Sequence, residues 1–496
     1  EGSRSRVEFN HALLQEAAYD RILRRRRSAL HAQVAQLLAG RRPSAGESEP
    51  ERIAHHWSCA GQPAEAVPHW ERAGMRALDR AAFLEAADHF RRGLECFDAS
   101  GAGSGEPGRR AALLTHLGAA MQAGETPAAD VDAIYRQARS ANNCSQGQDE
   151  LLIPIVRGQW LFHLIRAQYM DALELADEMI AMGGEVHLAE GHLYRGLAHM
   201  YMGALSSARA DLEAAVELHA PPPRQDYIYG AQGDTGVAAL AYLAIVLWNL
   251  GELEEASERS DLSLELAEAV GGPVTLAQAW GMRSGLLLAR GEMAEFSYWV
   301  EKTRVHSTDR NIGYWSTICS LWAAWLEGHG GRQELGIAAM EKHLDTYLRS
   351  GSRLGVPHLR ILLADLHLAA GDATRALESL RAARRHVAET GERYHEPEVQ
   401  WFLGRALMTL DGADPIAASV AYEQSLEAAR RQGAKLLALR AATGLALHQR
   451  STGQEQTALE TVEELVCWFG PEANLQDVVR ARAIVRAASA AQRVDS

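Results

Sequence analysis

The sequence has few of the residues that mark disulfide-bonded or membrane-spanning proteins. Only five cysteines occur among 496 residues, and they are isolated at positions 59, 96, 144, 319 and 467. No two of them have the spacing of a metal or redox site, so we expect reduced thiols and a cytoplasmic location. No apolar run reaches the ~18 residues that a membrane-spanning helix needs, so no membrane partner is expected.

Lysine and aromatic residues are also scarce. Lysine occurs only at 302, 342 and 435, so nearly all basic side chains are arginine. The net charge is −14, which argues against nucleic acid or an anionic membrane surface as a partner of the whole chain. Alanine and leucine are abundant instead, in a composition that is 47% hydrophobic and typical of helices.

A repeated pattern of small and bulky residues runs through most of the chain. A small residue is followed by a glycine turn, and a second small residue comes twelve positions after the first. A bulky residue follows four positions later, and one further residue three positions after that completes the pattern. The second small position recurs about every 40 residues. The clearest copies are Ala54, Gly61, Ala66, Trp70 and Ala73; Gly196, Gly203, Ala208, Leu212 and Ala215; Ala364, Gly371, Ala376, Leu380 and Ala383; and Ala446, Gly453, Ala458, Val462 and Leu465.

This spacing predicts pairs of antiparallel helices that are joined at the glycine. Glycine adopts the left-handed conformation that closes a helix, and the small residues let the two helices approach closely. One pair cannot bury its apolar face alone, so neighbouring pairs must stack. The pattern resembles the tetratricopeptide repeat, whereas HEAT and armadillo repeats lack its regular glycine turn. We therefore predict an all-α, tetratricopeptide-like superhelical solenoid of ~40-residue helix pairs.

Breaks in the pattern divide the chain. Pro221–Pro223 cannot continue a helix, so they separate two blocks of repeats, and Tyr227–Gly236 would connect the blocks. Residues 98–109, with the sequence DASGAGSGEPGR, predict a flexible loop. The predicted parts are a tail at 1–50, a first repeat block at 51–220, and a second block at 224–496 that ends in a capping helix.

The region before the repeats has a pattern of its own, made by Phe9, His11, Leu14, Gln15, Tyr19, Arg24–Arg27 and His31. These residues resemble the end of the winged-helix region that follows the ATPase module in bacterial STAND-type signalling proteins. In that group the stretch from Ile53 to Trp57, followed by AGQPAEAVPHWERAG, looks like the usual first repeat. Glu396–Gly404 and Trp468-Phe469 resemble the C-terminal part of the same group.

The resemblance implies the C-terminal helical half of a class III nucleotidyl cyclase–ATPase–tetratricopeptide protein, or of an ATPase-containing transcription regulator. The catalytic parts of that family do not carry over, because the sequence has no Gly-x-x-x-x-Gly-Lys-Ser/Thr loop. The chain starts at glutamate rather than methionine, so we expect that it begins partway through a larger protein.

Two polar clusters could suggest further chemistry. Arg24–Arg27 could contact nucleic acid or nucleotide phosphates, but no base-reading residues accompany the run, and we expect a solvated face. His55, His56 and His69 could suggest a metal site, but no cysteine or carboxylate completes the set. No catalytic constellation has a motif to anchor it, so we expect a non-enzyme without cofactor or metal.

A second stripe on the first helix of each pair predicts a partner-binding groove. Positions −3, +1 and +4 from the small residue face away from the partner helix, and in tetratricopeptide arrays they line the concave side. This stripe is unusually apolar for a surface. The candidate groove residues are Leu197, Met200, Trp248, Trp325, Asp365, Trp401 and Arg405.

The aromatic cluster between Tyr298 and Trp325 leaves two interpretations open, namely core packing and groove lining. The groove stripe lacks the lysine and asparagine that hold a peptide carboxylate in tetratricopeptide clamps, so we expect an apolar or amphipathic partner segment. That partner is a protein or peptide, with a segment of the parent protein and a small-molecule effector as further candidates.

The repeat pattern favours a non-catalytic interaction or sensing solenoid, and the resemblance implies that it regulates an attached signalling ATPase or cyclase. The alternative is the effector-sensing arm of a transcription regulator whose DNA-binding domain lies outside this chain. A free-standing hydrolase on a solenoid scaffold would need an acid–base or metal set that the sequence does not show.

Overall fold

The structure is all-helical, as the sequence predicts. A computed structural model describes residues 19–40, 49–80, 82–101, 107–123, 128–143, 149–219, 233–410, 414–450, 456–471 and 473–494, and these residues contain 23 long helices and no strand. The helices are α1 (Arg24–Ala39), α2 (Pro50–Cys59), α3 (Pro63–Asp79), α4 (Phe83–Ala99), α5 (Pro107–Ala123), α6 (Ala128–Asn143), α7 (Asp149–Ile165), α8 (Tyr169–Met182), α9 (Glu185–Tyr201), α10 (Leu205–Glu217), α11 (Thr235–Leu250), α12 (Leu253–Val270), α13 (Pro273–Arg290), α14 (Met293–Asp309), α15 (Gly313–His329), α16 (Gln333–Arg349), α17 (Val356–Ala369), α18 (Ala373–Thr390), α19 (Glu396–Thr409), α20 (Pro415–Gln432), α21 (Lys435–Gln449), α22 (Gln456–Val466) and α23 (Gln476–Val494).

Helix pairs joined by a glycine turn are the repeating unit. Gly251 and Gly371 have φ values of 89° and 80°, a left-handed conformation that a residue with a Cβ adopts only with strain. The small residues that flank the turn lie at the helix contact: Ala364 and Ala376 are both fully buried. Because a tight turn and two small residues force α17 and α18 together, the spacing in the sequence determines the pair.

Bulky residues fill the space beside the small ones. The Phe90 ring of α4 lies over Gly74 of α3, where a Cβ would come within 2.5 Å of the ring. The Tyr422 ring of α20 covers Gly404 of α19 in the same way. The alternation of small and large side chains is therefore a packing pattern, in which an aromatic ring on one helix needs a glycine on its partner.

The chain divides into two compact units, Glu1–Gly158 and Gln159–Ser496, and the division falls within α7. The predicted block boundary at Pro221–Pro223 lies outside the described residues, as do 1–18 and the middle of the predicted loop at 98–109. Of the predicted connecting segment, Thr235 and Gly236 already belong to α11.

The first unit holds helix pairs around small local cores. Trp57 and Trp70 pack with Ala54 and Ala66, which are fully buried. Further along, the buried Tyr135 ring of α6 lies against Gly118 of α5, so α5 and α6 form a helix pair of the same kind.

In the second unit the solenoid closes on itself. The first helices of six successive pairs, α11, α13, α15, α17, α19 and α21, each contact the next one, and α21 in turn contacts α11. At this contact Gly251 lies so close to Lys435 that a Cβ would come within 3.0 Å of the lysine Cβ. The sequence predicts an open concave groove, whereas the structure has a ring of six helices.

Hydrogen bonds between distant loops extend this closure to α7 and α9, which precede the six ring helices. The backbone N–H groups of Arg353 and Leu354 donate to the carbonyl of Ile165 at 2.7 and 3.1 Å. The N–H of Tyr394 donates to the carbonyl of Tyr201 at 3.0 Å. The loops after α16 and α18 thus supply N–H donors for carbonyl groups at the C-terminal ends of α7 and α9. These carbonyls have no partner within their own helices.

Candidate functional site

The six-helix ring surrounds a central cavity of about 890 Å³ that is partly open to solvent. Its wall is formed by the ring helices, and the ends of α9 and α23 also contribute. The wall is rich in tryptophan although only 6% of the chain is aromatic. The tryptophans that line the central cavity are Trp248, Trp315, Trp322, Trp325 and Trp401.

The structure brings together most of the residues that the sequence assigns to the groove. Their role in binding remains a prediction. Leu197 is the exception, because it is buried within α9 and does not line the central cavity. The residues that do line it are Met200, Trp248, Trp325, Asp365, Trp401 and Arg405.

The aromatic side of the central cavity is also part of the core. Trp322 and Trp325 are 6% and 9% exposed, and both meet the ring of Phe296 edge-on at 5.8 and 6.2 Å. The two interpretations of the aromatic cluster therefore hold together for these side chains, since each indole packs outward and also faces the cavity. Tyr298 differs, because it is 60% exposed on α14.

Tyr314 is an accessible aromatic residue on this side. It is 37% exposed and lines the central cavity. The protein around it raises the pKa of Tyr314 well above its ordinary value through burial, and neighbouring tyrosines and Glu392 add to the effect. Tyr314 thus lies among protein groups but remains open to the cavity.

Charged side chains occupy the opposite wall, on α19, α21 and α23. Glu398 lies 2.7 Å from His395 Nδ1, and Arg440 lies 3.5 Å from Glu398 and 2.8 Å from Asp477. Burial alone would raise the pKa of Glu398, but the hydrogen bond with His395 and the charge of Arg440 outweigh it and lower that pKa to about 2. Glu398 is therefore a charged carboxylate with its own partners.

A second charged group lies on the neighbouring helices. Asp365 of α17 is 2.9 Å from His329 Nε2 and 3.5 Å from Arg405 of α19. The guanidinium of Arg405 lies 5.0 Å from the Trp401 ring centre, and that of Arg440 lies 5.7 Å from the same ring. Trp401 thus contacts two cations on the cavity wall.

The groove stripe missed three charged or polar residues, each of which lies on the central cavity. His358, Glu398 and Arg440 occupy the same position, six residues before the small residue of α17, α19 and α21. This position is the next one along the same stripe, one helical turn towards the N-terminus. Extending the predicted stripe by one turn would have found all three.

The polar clusters of the first unit do not form a site. His31 Nδ1 lies 2.8 Å from His56 Nδ1, and burial together with neighbouring positive charge lowers the pKa of both rings. His69 lies elsewhere, beside Arg72. Nowhere in the described ranges are three or more histidine, cysteine or acidic side chains placed to hold a metal ion. In the arginine run, Arg27 lies over the Tyr19 ring and pairs with Asp20.

No helix in the described part of the chain is both long enough and apolar enough to cross a membrane.

Comparison with known proteins identifies the fold of the chain but does not assign the chain to a family. No protein-family model matches the chain. An uncharacterized protein of Rhizobium meliloti is 23% identical over 448 residues, which cover 88% of this chain and 43% of that protein. The chain therefore spans less than half the length of this curated relative.

Two solved structures illustrate the similarity. The Rap protein complexed with Competence and Sporulation Factor aligns with a TM-score of 0.50 at 10% identity, over 73% of this chain and 97% of that one. Cut9–Hcn1 of the APC/C aligns with a TM-score of 0.48 at 11% identity, over 95% and 94%. The chain has a tetratricopeptide-like helical-repeat fold, which is typical of protein-interaction scaffolds.

Proposed function

We propose that this chain is the non-catalytic sensing part of a larger signalling protein, and that its effector binds in the central cavity. The observation that supports the proposal is the partly open cavity of about 890 Å³ at the centre of the ring. Ligand sites usually have volumes of ~300–1,000 Å³, an apolar lining and a few placed polar groups. The central cavity has this size and this lining.

The ring favours a compact ligand over a long helical segment. A helix with its side chains is ~10–12 Å wide, so about two turns of helix would already fill the cavity. A segment of the parent protein could enter only as a short peptide, whereas the open groove expected from the sequence would have accepted a longer helix. We therefore favour a small-molecule effector or a short peptide. The Rap protein, which has a similar fold, was solved in complex with Competence and Sporulation Factor.

Closure of the ring couples ligand binding to the conformation of the second unit. A ligand in the cavity can contact α11 on one side and α19 or α21 on the other. Such a ligand binds the closed ring more tightly than an opened one, and this difference in affinity shifts the equilibrium towards the closed ring. A change in the ring would then alter the surface presented to an attached module. The resemblance favours an ATPase or nucleotidyl cyclase as that module. The alternative is a transcription regulator, and the sequence of the full-length gene distinguishes the two.

A cavity-filling substitution tests the proposal. Gly285 lines the central cavity, and a Cβ there would meet only Trp322, at 3.9 Å. Gly285→Phe should therefore fill the space without a clash. Gly313→Phe is the matched control, because Gly313 is exposed and lies off the cavity lining, and a Cβ added there would have no other atom within 4 Å.

The probe is N-phenyl-1-naphthylamine, a neutral aromatic dye that fluoresces in apolar sites. We expect one dye per chain, energy transfer from the cavity tryptophans, and at least a ~10-fold weaker affinity in Gly285→Phe. Gly313→Phe should bind like the wild type. Equal dye binding by Gly285→Phe and the wild type would overturn the proposal, because the cavity would then not be the binding site.

A further inference from the structure

We infer that the effector is an amphipathic organic anion, with an apolar body in the aromatic part of the central cavity and a carboxylate or phosphate at an arginine cluster on its edge. The inference rests on the proposed function and specifies the ligand. It follows from the distribution of aromatic and charged side chains around the ring.

The apolar body has a defined place on the side of α11, α13 and α15. Trp315, Trp322 and Trp325 are each less than 10% exposed, and they are held by the core behind them. The Trp315 ring packs directly on Gly281, where an added Cβ would come within 2.2 Å of it, whereas Gly285 leaves room beside Trp322. Aromatic walls with fixed orientations bind flat or extended apolar groups at little entropic cost.

The anionic group has a place on the other side. On this wall three arginines, at 405, 440 and 480, balance three carboxylates, at 365, 398 and 477, while Arg290 at the end of α13 pairs with Glu292 at 2.6 Å. The chain as a whole carries −14. A wall without net negative charge in a strongly acidic protein is where an anion meets the least repulsion.

Two of these arginines keep donors available for a ligand. Arg405 has one ion-pair contact, with Asp365 at 3.5 Å, and its side chain is 40% exposed. Arg480 is exposed and has no ion pair within the part of the chain that the structure describes. Arg440 is different, since Glu398 and Asp477 already engage it. Guanidinium groups bind carboxylates and phosphates through two parallel hydrogen bonds, so Arg405 and Arg480 are the expected contacts.

The same residues argue against a cationic ligand. Aromatic cages bind quaternary ammonium groups through open ring faces. Here the guanidinium groups of Arg405 and Arg440 already lie over Trp401. A second cation at this wall would meet like charge in a shielded space, which costs more than the ring face returns.

A pair of matched dyes tests the inference. 8-Anilinonaphthalene-1-sulfonate is N-phenyl-1-naphthylamine with an added sulfonate, so the two differ in charge. We expect the sulfonate dye to bind the wild type about 10-fold more tightly than the neutral dye at low salt. Arg405→Gln/Arg480→Gln should remove that difference and leave the neutral dye unaffected. Arg384→Gln, on the exposed face of α18 away from the cavity, is the control.

The outcomes separate this inference from the proposed function. If Gly285→Phe weakens both dyes but the double arginine variant changes neither, the cavity binds ligands and the anionic assignment is wrong. If Gly285→Phe changes neither dye, the proposed function fails as well. Tighter binding of an isosteric trimethylammonium dye than of the sulfonate dye would also overturn the inference. Loss of the sulfonate preference in the double variant alone, together with its loss at high salt, supports it.

Discussion

Glu392 is the side chain whose loss should open the ring. It is fully buried in the loop between α18 and α19. The Tyr169 hydroxyl donates to its carboxylate at 2.8 Å, and the Gly355 N–H donates at 3.1 Å. Since Tyr169 begins α8 and Gly355 precedes α17, Glu392 connects three parts of the second unit that are distant in sequence.

Glu392→Ala removes the acceptor for both donors and for His386 Nε2, which lies 3.4 Å from the same carboxyl group. Each hydrogen bond contributes ~0.5–1.5 kcal/mol, and a buried donor left unpaired costs ~1–3 kcal/mol. We therefore expect the closed state to lose about 3–5 kcal/mol relative to an opened one. Glu392→Gln keeps an acceptor of the same shape and should lose much less. Glu378→Ala, at an exposed position on α18, is the control and should lose nothing measurable.

Hydrogen exchange at the closing amides is the assay. The N–H groups of Arg353, Leu354 and Tyr394 donate across the closure, so they exchange only when it opens. A loss of about 3 kcal/mol corresponds to exchange that is more than ~100-fold faster at these amides. Amides within α17 should change less. Wild-type exchange at the three closing amides in folded Glu392→Ala would refute the assignment of Glu392 as the residue that holds the ring.

Three further predictions concern the helix crossings, the cavity wall and pH. Ala376→Leu and Ala458→Leu should each lower the free energy of unfolding by ~1–3 kcal/mol through overpacking, and unchanged melting of both would place the crossings elsewhere. Trp325→Ala should lower the free energy of unfolding by ~3–5 kcal/mol because the Trp325 ring is also part of the core. Trp401 is half-buried, so Trp401→Ala should cost less stability, and both variants should bind the dye more weakly. Equal melting temperatures of the two variants would contradict this. The lowered pKa of Glu398 stabilises the folded state above pH ~4.5, and that contribution should disappear as the pH falls from ~4.5 towards 2. Denaturation midpoints across this range should depend less on pH in Glu398→Gln, and identical profiles would mean that Glu398 does not contribute.

The helix pairs could be predicted from the sequence because each depends on residues within about forty positions of one another. Gly371 between Ala364 and Ala376 contains the turn and both contact points, so local spacing determines the pair. The closure could not be predicted in this way. It joins Ile165 to Arg353 and Tyr201 to Tyr394, and it depends on small rotations between pairs that add up along the solenoid.

The candidate site was predictable in part for the same reason. Trp325, Trp401 and Arg405 could each be predicted from the stripe on their own helix, without knowledge of any other helix. The pairing of Glu398 with Arg440 needs α19 and α21 to be placed side by side with their stripes facing inward. The central cavity forms only when all six ring helices are in place. The apolar stripe, which would be unusual on an outer surface, therefore lines this cavity.

Closure of the ring also fixes how many pairs this part of the chain can contain. In an open array each pair contacts only its neighbours, and a pair can be gained or lost with little effect on the others. Here α11 meets α21 only because six first helices complete the circumference. An extra pair would push α21 away from α11, and a missing one would leave a gap, so a duplication that an open array tolerates would here abolish the cavity. The number of repeats between α11 and α21 is thus itself a condition for the central cavity to exist.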